Sequence, residues 1–478
     1  MWVDIYDRYD ARVGPFSRVA SAFPDAFSTL RGVAYKDTRN LHERYGSAVR
    51  ISPNALSFST AQAWRDIYAL KADRTELAKD PGYYKKGEAA NIVCTYHSAD
   101  QTDHARIRKL FAHAFSDSAL LEQEPLLTNY FDLLVTKLKQ QINGPKRGVV
   151  DMMAYYNFTT FDIIGDLTLG EPFGALESGE YHAWIRNVFE SIKFLGVLRL
   201  AANYPAVGML LKLLTIFKPS LGAKRAAHME FTRLKIEKRL ERESNRKDFL
   251  TYVLRHNDER GMTRPEIMGT CRVLLVAGSE TTGTLLSGAT YYLLQNPASL
   301  HRLQSEVRAA FQTQDEITLR SVSIPGKLPY LEAVLQESFR CCPPIPATLP
   351  RVTGPRGAMI DGRFVPANVS VGVHQWSTYH SHANFAYPDT FDPKRWLSDP
   401  PIKYSGDDKA ALQPFSLGPR GCIGKSLAYF EIRSILARII WNFDMEIQDA
   451  SSDWKEQREY AMWDKPSLWV RLKHRNDA

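Results

Sequence analysis

The chain has 478 residues, of which 44% are hydrophobic and 24% are charged. These fractions are typical of a folded globular protein and exclude a disordered, collagen-like or disulfide-stapled chain. The 61 basic residues outnumber the 53 acidic ones, and the formal net charge of +8 favours an acidic protein partner or an anionic membrane surface. No basic block with interleaved aromatic residues occurs, so nucleic acid is not expected as a partner.

The cysteines and the apolar segments bear on the cellular compartment. The five cysteines form an odd set without C-x-x-C spacing, which argues against a disulfide framework and structural zinc and favours a reducing compartment. The N-terminus lacks an apolar core of signal-peptide length, and no run of about 18 uncharged apolar residues follows. We therefore expect no membrane-spanning helix within this chain.

No internal repeat or low-complexity linker divides the sequence, which predicts a single domain over residues 1–478. Most long segments show helical spacing, whereas short β-branched stretches at Ala48 to Phe58 and Arg363 to Val373 predict strands of small sheets. The predicted fold class is mainly α with small β-sheets. The strongly apolar segment Phe194 to Phe217 predicts two short helices that either join the core or touch a bilayer.

The clearest predicted helix begins at Thr263, where the sequence T-R-P-E offers a cap, an early proline and Glu266 three residues on. The pattern continues to Asn296-Pro297 and is apolar almost all round, so this helix should cross the middle of the protein. Glycine and hydroxyl residues occupy its centre, from Gly278 to Thr282, and are expected to loosen or bend the helix.

The segment Phe415 to Gly424 reads FSLGPRGCIG. It resembles the haem-ligand loop F-x-x-G-x-R-x-C-x-G of the cytochrome P450 family at every fixed position. The resemblance implies that Cys422 binds the haem iron as a thiolate, so the surroundings must stabilise a negative charge. A helix predicted over Gly424 to Ile439 would point its N-terminal amides at the sulfur.

The other fixed positions of this loop have tasks of their own. Gly418 and Gly424 would allow a tight turn and a close approach to the flat macrocycle. Arg420 is expected to pair with a haem carboxylate, and Phe415 to shield the sulfur from water.

The segment Ala277 to Thr282, AGSETT, resembles the oxygen-activation sequence of the same family. Dioxygen cleavage needs two protons in an otherwise dry pocket. The resemblance implies that Thr281 donates a hydrogen bond and holds a water, while Glu280 feeds protons from solvent. Seen alone, the stretch is equally compatible with a kink whose hydroxyls bond to the preceding turn.

A third pattern places Glu337 and Arg340 three residues apart on a helix that begins near Pro329. It resembles the family's E-x-x-R pair, which a later arginine completes, and Arg395 in FDPKRW stands in the expected context. The resemblance implies a charged triad under the haem that locks the loop carrying Cys422. We assign this triad to structure rather than to chemistry.

Further haem contacts are expected from His104 and Arg108, which lie four apart on one helical face and would clamp a haem carboxylate. Many family members carry tryptophan at the His104 position, so this sequence departs from the pattern there. Arg351 follows the proline-rich turn Pro343 to Pro350, where the family often places another carboxylate partner. A surface arginine is the alternative.

The resemblance also implies the wider function. Haem b would be the cofactor, and electrons would come from NADPH through a flavin reductase docked on the cysteine side of the haem. One oxygen atom would be inserted into an apolar small molecule. The substrate is expected to be lined by Tyr83 to Tyr96, Ala277 with Thr281, and Ile345 to Leu349.

Several segments, including HERYGSAVRISPNALSF and DHARIRKLFAHAFS, most resemble fungal members of secondary metabolism. Such enzymes sit on the cytosolic face of the endoplasmic reticulum, with an anchor that would lie upstream of this chain; a soluble cytoplasmic protein is the alternative. Two other functions stay open: oxidative coupling or rearrangement without net oxygen insertion, and a non-catalytic haem carrier.

Overall fold

The computed structural model describes residues 14–71, 75–84, 100–187, 219–242, 246–255 and 261–475, with Asn257 and isolated positions between 188 and 218. Helices form most of this part, which confirms the predicted fold class. The described helices are α1 Phe16–Ala20, α2 Phe23–Arg31, α3 Ala34–Tyr45, α4 Ala61–Tyr68, α5 Pro81–Tyr84, α6 Gln101–Ala112, α7 Asp117–Ile142, α8 Met152–Leu169, α9 Ala175–Ser178, α10 Pro219–Leu240, α11 Phe249–Arg255, α12 Arg264–Leu294, α13 Pro297–Ala310, α14 Leu319–Ser323, α15 Pro329–Cys341, α16 Gln375–Tyr379 and α17 Lys425–Asn442.

The strands are short and form small sheets. They are β1 Ala48–Ser52, β2 Ala55–Phe58, β3 Ala78–Lys79, β4 Val149–Asp151, β5 Arg351–Val352, β6 Ala358–Ile360, β7 Arg363–Val365, β8 Ser370–Val373, β9 Phe443–Ile447, β10 Arg458–Glu459, β11 Trp463–Asp464 and β12 Trp469–His474. The largest sheet has the order β1-β2-β8-β5-β3, and a second has the order β4-β12-β9. Among the described strands, only β2 and β8 pair in parallel, and β6-β7 and β10-β11 are separate antiparallel pairs.

Both predicted strand segments are divided in the structure. The first, at 48–58, is the hairpin of β1 and β2. The second, at 363–373, contributes β7 to one sheet and β8 to another. Pro366 lacks an amide hydrogen for a strand ladder, and Asn368 has a left-handed φ of 60°, so the chain turns between the two strands.

The long central helix begins as predicted. The Thr263 side chain accepts a hydrogen bond from the Glu266 amide, and the Glu266 carboxylate accepts one from the Thr263 amide at 2.7 Å. The 31 residues of α12 end at Leu294, two residues before the predicted end. Most of its side chains are buried, so it passes through the core.

Two glycines explain how closely α12 packs on α8. A Cβ atom at Gly278 would lie 2.5 Å from Ile164 Cδ1, and one at Gly283 would lie 2.5 Å from Asn157 Oδ1. Both distances are shorter than any ordinary van der Waals contact. These glycines therefore serve close helix packing, a reason that the sequence pattern did not reveal.

Helix α17 follows the cysteine loop and packs on α7, α12 and α15 in the main hydrophobic core. It runs from Lys425 to Asn442, one residue later at its start and three residues later at its end than predicted. No described helix has the length and apolarity that crossing a bilayer requires. The two helices predicted over 194–217 lie largely outside the described residues.

Candidate active site

The loop that carries Cys422 is shaped by its own backbone. The Cys422 amide donates to the Phe415 carbonyl at 2.9 Å. Gly418 has a φ of 70°, and a Cβ atom there would lie 2.1 Å from the Tyr68 carbonyl oxygen. Only glycine fits this position, because any side chain would meet both backbone strain and a collision with α4.

Three groups near Cys422 oppose the effect of burial on its thiol. The side chain is exposed, three residues before the start of α17. Burial raises the pKa of the Cys422 thiol above its usual value, and the Gly424 amide, Arg108 and Lys425 offset only part of this rise. Arg108 also fixes the loop, since its Nη1 donates to the Gly421 carbonyl at 2.7 Å. This donor set suits a thiolate at the N-terminus of a helix.

Phe415, at the start of the cysteine loop, packs in an aromatic cluster with Phe339 and Tyr429. Its ring centroid lies 5.2 Å from that of Phe339 on α15 and 5.1 Å from that of Tyr429 on α17. The ring is therefore held between two helices. Its role as a shield for the sulfur stays a prediction.

The centre of α12 has one exposed face in an otherwise buried stretch. Ala277 is exposed, and Thr281, one turn later, is only half-buried. The Thr281 hydroxyl donates to the Ala277 carbonyl at 2.7 Å, and Ser287 makes the same bond to Gly283. Bonding to the preceding turn is thus present, and the part of Thr281 in proton transfer stays a prediction.

Glu280 lies on a different face of α12 and is 1% exposed. Its carboxylate accepts a short hydrogen bond from Lys465 Nζ, which also donates to Thr284 Oγ1 at 2.7 Å. Burial raises the pKa of Glu280, and Lys465 opposes that rise. Glu280 has no solvent contact, so protons would reach it only through neighbouring groups.

Arg420 has a carboxylate partner that the sequence did not indicate. Its Nε lies 2.7 Å from Glu76 Oε1, with side chains only 4% and 5% exposed. Glu76 Oε2 finds no hydrogen-bond partner in the part of the chain that the structure describes. In the haem-bound protein, Arg420 would have to serve both Glu76 and a haem carboxylate.

Arg351, in β5, is 4% exposed. Among the described residues, its Nε and Nη1 find no hydrogen-bond acceptor, and burial lowers the pKa of the Arg351 guanidinium. The alternative of a surface arginine is therefore wrong for this position. A buried guanidinium with two unused donors fits an acidic ligand, since an unsatisfied buried charge is costly.

His104 is buried near several cations, including Arg351 and Arg420. Burial, together with Arg420, Arg108, Lys79 and Arg351, lowers the pKa of His104 to about 3. The imidazole is neutral at pH 7, so it would bind a carboxylate through an N–H group rather than through charge. Together with these four cations, the neutral imidazole forms a donor set that fits the two carboxylates of haem.

Arg351→Met tests this fit. The variant should leave the haem-free protein at least as stable as before, because it removes a buried charge without a hydrogen-bonded acceptor. Haem should dissociate about tenfold to hundredfold faster, which corresponds to about 1.5–3 kcal/mol for a charge-assisted bond. Transfer of haem to an excess of a haem-scavenging protein measures the rate.

Arg356→Met is the matched control, because Arg356 is an exposed arginine five residues away. It should change neither the stability of the haem-free protein nor the haem dissociation rate. Equal dissociation rates for Arg351→Met and Arg356→Met would contradict the assignment.

Glu337, Arg340 and Arg395 meet as predicted, and all three side chains are fully buried. Arg340 Nε and Nη2 lie 2.9 and 2.8 Å from the two carboxylate oxygens of Glu337. Arg395 Nε lies 3.1 Å from the same carboxylate. Asp407 pairs with Arg395 at 2.5 Å. The two carboxylates of Glu337 and Asp407 therefore balance the charges of the two arginines.

The expected substrate lining is only partly visible. Ile345 and Leu349 are half-buried, and the Leu349 carbonyl accepts from the Tyr68 hydroxyl at 2.9 Å. Of the predicted loop 83–96, residues 85–96 lie outside the described residues. Contact of these groups with a substrate stays a prediction.

Sequence reasoning missed three acids and bases near these motifs. Glu76 and Lys465 have no motif, and each meets its partner only through the tertiary fold. Glu431, on α17, is buried, and burial raises its pKa to about 8 although the Thr282 hydroxyl opposes the rise. The sequence signal that could have indicated Glu431 is an acidic residue within the apolar pattern of α17.

Comparisons with known proteins agree with the geometry. A family model described as "Cytochrome P450" matches residues 26–469. The chain is 41% identical to the cytochrome P450 monooxygenase astJ of Aspergillus oryzae over 97% of this chain and 91% of that protein. It is 40% identical to the monooxygenase efuB of Hormonema carpetanum, over 97% and 92% of the two chains. It is also 40% identical to the trichothecene C-4 hydroxylase of Trichoderma arundinaceum, over 96% and 92%.

Proposed function

This chain belongs to the cytochrome P450 family and is a monooxygenase, and we propose that it oxidises an apolar small molecule in a fungal secondary-metabolite pathway. The single observation that carries the haem assignment is the position of Cys422. It is an exposed thiol three residues before the start of α17, where the Gly424 amide, Arg108 and Lys425 act against the rise that burial causes in its pKa. We further propose that residues 1–478 form one catalytic domain.

The residues of this chain would act in two groups. Bound haem b supplies the dioxygen chemistry, with Cys422 as its thiolate ligand. Arg351, Arg108, Arg420 and a neutral His104 would hold its carboxylates and fix its orientation. Ala277 and Thr281 form the accessible face of α12, where the Thr281 hydroxyl would hold a water and pass on protons that Glu280 supplies.

Electrons would come from NADPH through a flavin-containing reductase. Arg108 joins α6 to the cysteine loop, and the neighbouring Lys109 and Lys425 are both exposed. Together with the net charge of +8, these lysines favour docking of an acidic partner on the cysteine side.

A peripheral membrane contact is part of the same proposal. Met209, Leu210 and Leu213 are 64%, 55% and 47% exposed, which is unusual for large apolar side chains on a protein that meets only water. They fit contact with the cytosolic face of the endoplasmic reticulum. A soluble cytoplasmic protein is the alternative, and flotation with liposomes distinguishes the two.

The function is tested with a panel of apolar natural products. Compounds that change the spin state of the iron are then incubated with the protein, a reductase, NADPH and isotopically labelled dioxygen. A monooxygenase consumes NADPH and places one labelled oxygen atom in the product. A haem carrier would consume none, and a coupling enzyme would form an unlabelled product.

In this assay, Thr281→Ala should divert electrons from the oxidised product to hydrogen peroxide. Loss of one hydrogen bond of about 1.4 kcal/mol lowers the product formed per NADPH about tenfold, with hydrogen peroxide released instead. Ser287→Ala is the matched control, because it removes a hydroxyl bonded in the same way to the preceding turn. Equal peroxide release from the two variants would remove Thr281 from the proton path.

A further inference from the structure

A lysine near the end of the described chain reaches the middle of the central helix. Lys465 lies between β11 and β12, and its Nζ donates to Glu280 and to Thr284 Oγ1. The Lys465 and Glu280 side chains are 3% and 2% exposed. A buried pair at this distance along the sequence is part of the fold rather than a surface contact.

The segment that carries Lys465 is fixed on both sides. Trp463 Nε1 donates to the Pro343 carbonyl at 2.8 Å, and Trp454 Nε1 donates to the Pro466 carbonyl at 2.9 Å. The Leu468 amide donates to Asp151 at 2.9 Å. The ammonium group is therefore delivered to a defined point beside α12.

That point lies away from the accessible face of α12. Ala277 and Thr281 are four residues apart and share this face. Each residue of an α-helix turns the side chain by about 100°, so Glu280 and Thr281 point in different directions. As long as Lys465 binds Glu280, the carboxylate is held off the Thr281 face.

We propose that Lys465 is a positioning residue that fixes the Glu280 carboxylate beside Thr284 and keeps it ionised. The proposal rests on the proton-supplying role of Glu280 given under the proposed function. It adds that the segment between β11 and β12 controls the protonation state of the acid.

The physical reason is the cost of an isolated buried charge. Burial raises the pKa of Glu280, and Lys465 is the neighbour that opposes this rise. Two further titratable groups face the pair, the Tyr181 hydroxyl beside Glu280 and the Cys342 thiol beside Lys465. Burial raises the pKa of both, to about 12 for Cys342, so both are neutral at pH 7. Without Lys465, Glu280 should take up a proton.

The test uses Lys465→Met, which keeps the side-chain volume and removes the charge. Infrared spectroscopy of the haem-loaded protein at pH 7 should show a new carbonyl band of a protonated carboxyl group. The band should be absent from the unchanged protein and from the double variant Lys465→Met/Glu280→Gln. Burial raises the pKa of Glu431 to about 8, so this residue contributes the same carbonyl band to every spectrum. The band cancels when the spectrum of one protein is subtracted from that of another.

Lys473→Met is the matched control, because it removes an exposed lysine on β12 that pairs with Glu446. It should give no new band. The proposal is overturned if Lys465→Met gives no new band, or if the unchanged protein already shows one that Glu280→Gln removes. An intact carbon monoxide spectrum checks that each variant has kept its haem site.

The same variants separate this proposal from the role on which it rests. The fraction of NADPH electrons released as peroxide is measured for Glu280→Gln and for Lys465→Met. An infrared band in Lys465→Met with unchanged peroxide release from Glu280→Gln supports the Lys465 assignment and overturns the proton-supplying role of Glu280. A missing band with increased peroxide release from Glu280→Gln overturns the Lys465 assignment alone.

Discussion

Cys422→Ser should abolish the thiolate-type band in the carbon monoxide spectrum of the reduced protein. A serine hydroxyl stays protonated at neutral pH and cannot offer the iron an anionic sulfur. The loop itself should survive, because its turn depends on Gly418 and on the bond from the residue 422 amide to Phe415, which serine keeps. The measurement is the band intensity per mole of haem, and we expect its near-complete loss.

Cys271→Ser is the control for this experiment. Cys271 lies on α12 and is 1% exposed, and burial raises its pKa to about 12, so it is a neutral thiol without access to a ligand. Its replacement should leave the band unchanged. A band that persists in Cys422→Ser, or that disappears in Cys271→Ser, would contradict the assignment of the ligand.

The parts of the site that the sequence predicted correctly are those with local spacing. The cap of α12 depends on residues three apart, and the pairing of Glu337 with Arg340 depends on one turn of helix. Such contacts are fixed once the helix forms. Arg395 could be added only because a family resemblance supplied its context.

The parts that the sequence did not predict depend on contacts between distant segments. Glu76 meets Arg420 across 344 residues, and Lys465 meets Glu280 across 185. A lone acid or lysine in a loop has no periodicity and no motif that would reveal its partner. Of the two closely packed glycines of α12, the sequence pattern singled out Gly278 but not Gly283, and the side chains that need the space, Ile164 and Asn157, lie on α8.

Both strand predictions are confirmed, but the sequence did not indicate where each strand ends or which sheet it joins. The sequence between 363 and 373 is rich in β-branched residues, yet β7 and β8 join different sheets. Propensity reports which residues favour extended backbone, while the turn at Asn368 and the available partner strands decide where each strand ends.

Glu337→Gln should strongly destabilise the fold. The fully buried carboxylate accepts bonds from Arg340, Arg395, the Asp392 amide and Trp396 Nε1, the last at 2.8 Å. Glutamine keeps the shape but leaves two buried arginines with Asp407 alone. Breaking one partner of a buried ion network costs about 3–5 kcal/mol, which should appear as a lower free energy of unfolding and a reduced yield of haem-loaded protein.

Glu332→Gln is the matched control on the same helix. Glu332 pairs with Arg433 on α17, but the two side chains are 39% and 23% exposed, so the loss should be at most about 1 kcal/mol. Urea unfolding of both variants, followed by the haem absorbance, measures the difference.

The effect of Glu337→Gln should also depend on pH in a defined direction. Burial by itself would raise the pKa of Glu337, but Arg340 and Arg395 hold it below its usual value of 4.5. A depressed carboxyl pKa contributes stability that is complete above the unfolded-state pKa and is lost as the pH falls through the folded-state value. The stability difference between the unchanged protein and Glu337→Gln should therefore be full at pH 7 and shrink in acid. A difference that grows as the pH falls, or one no larger than that of Glu332→Gln at pH 7, would show that the charge of Glu337 does not stabilise the fold.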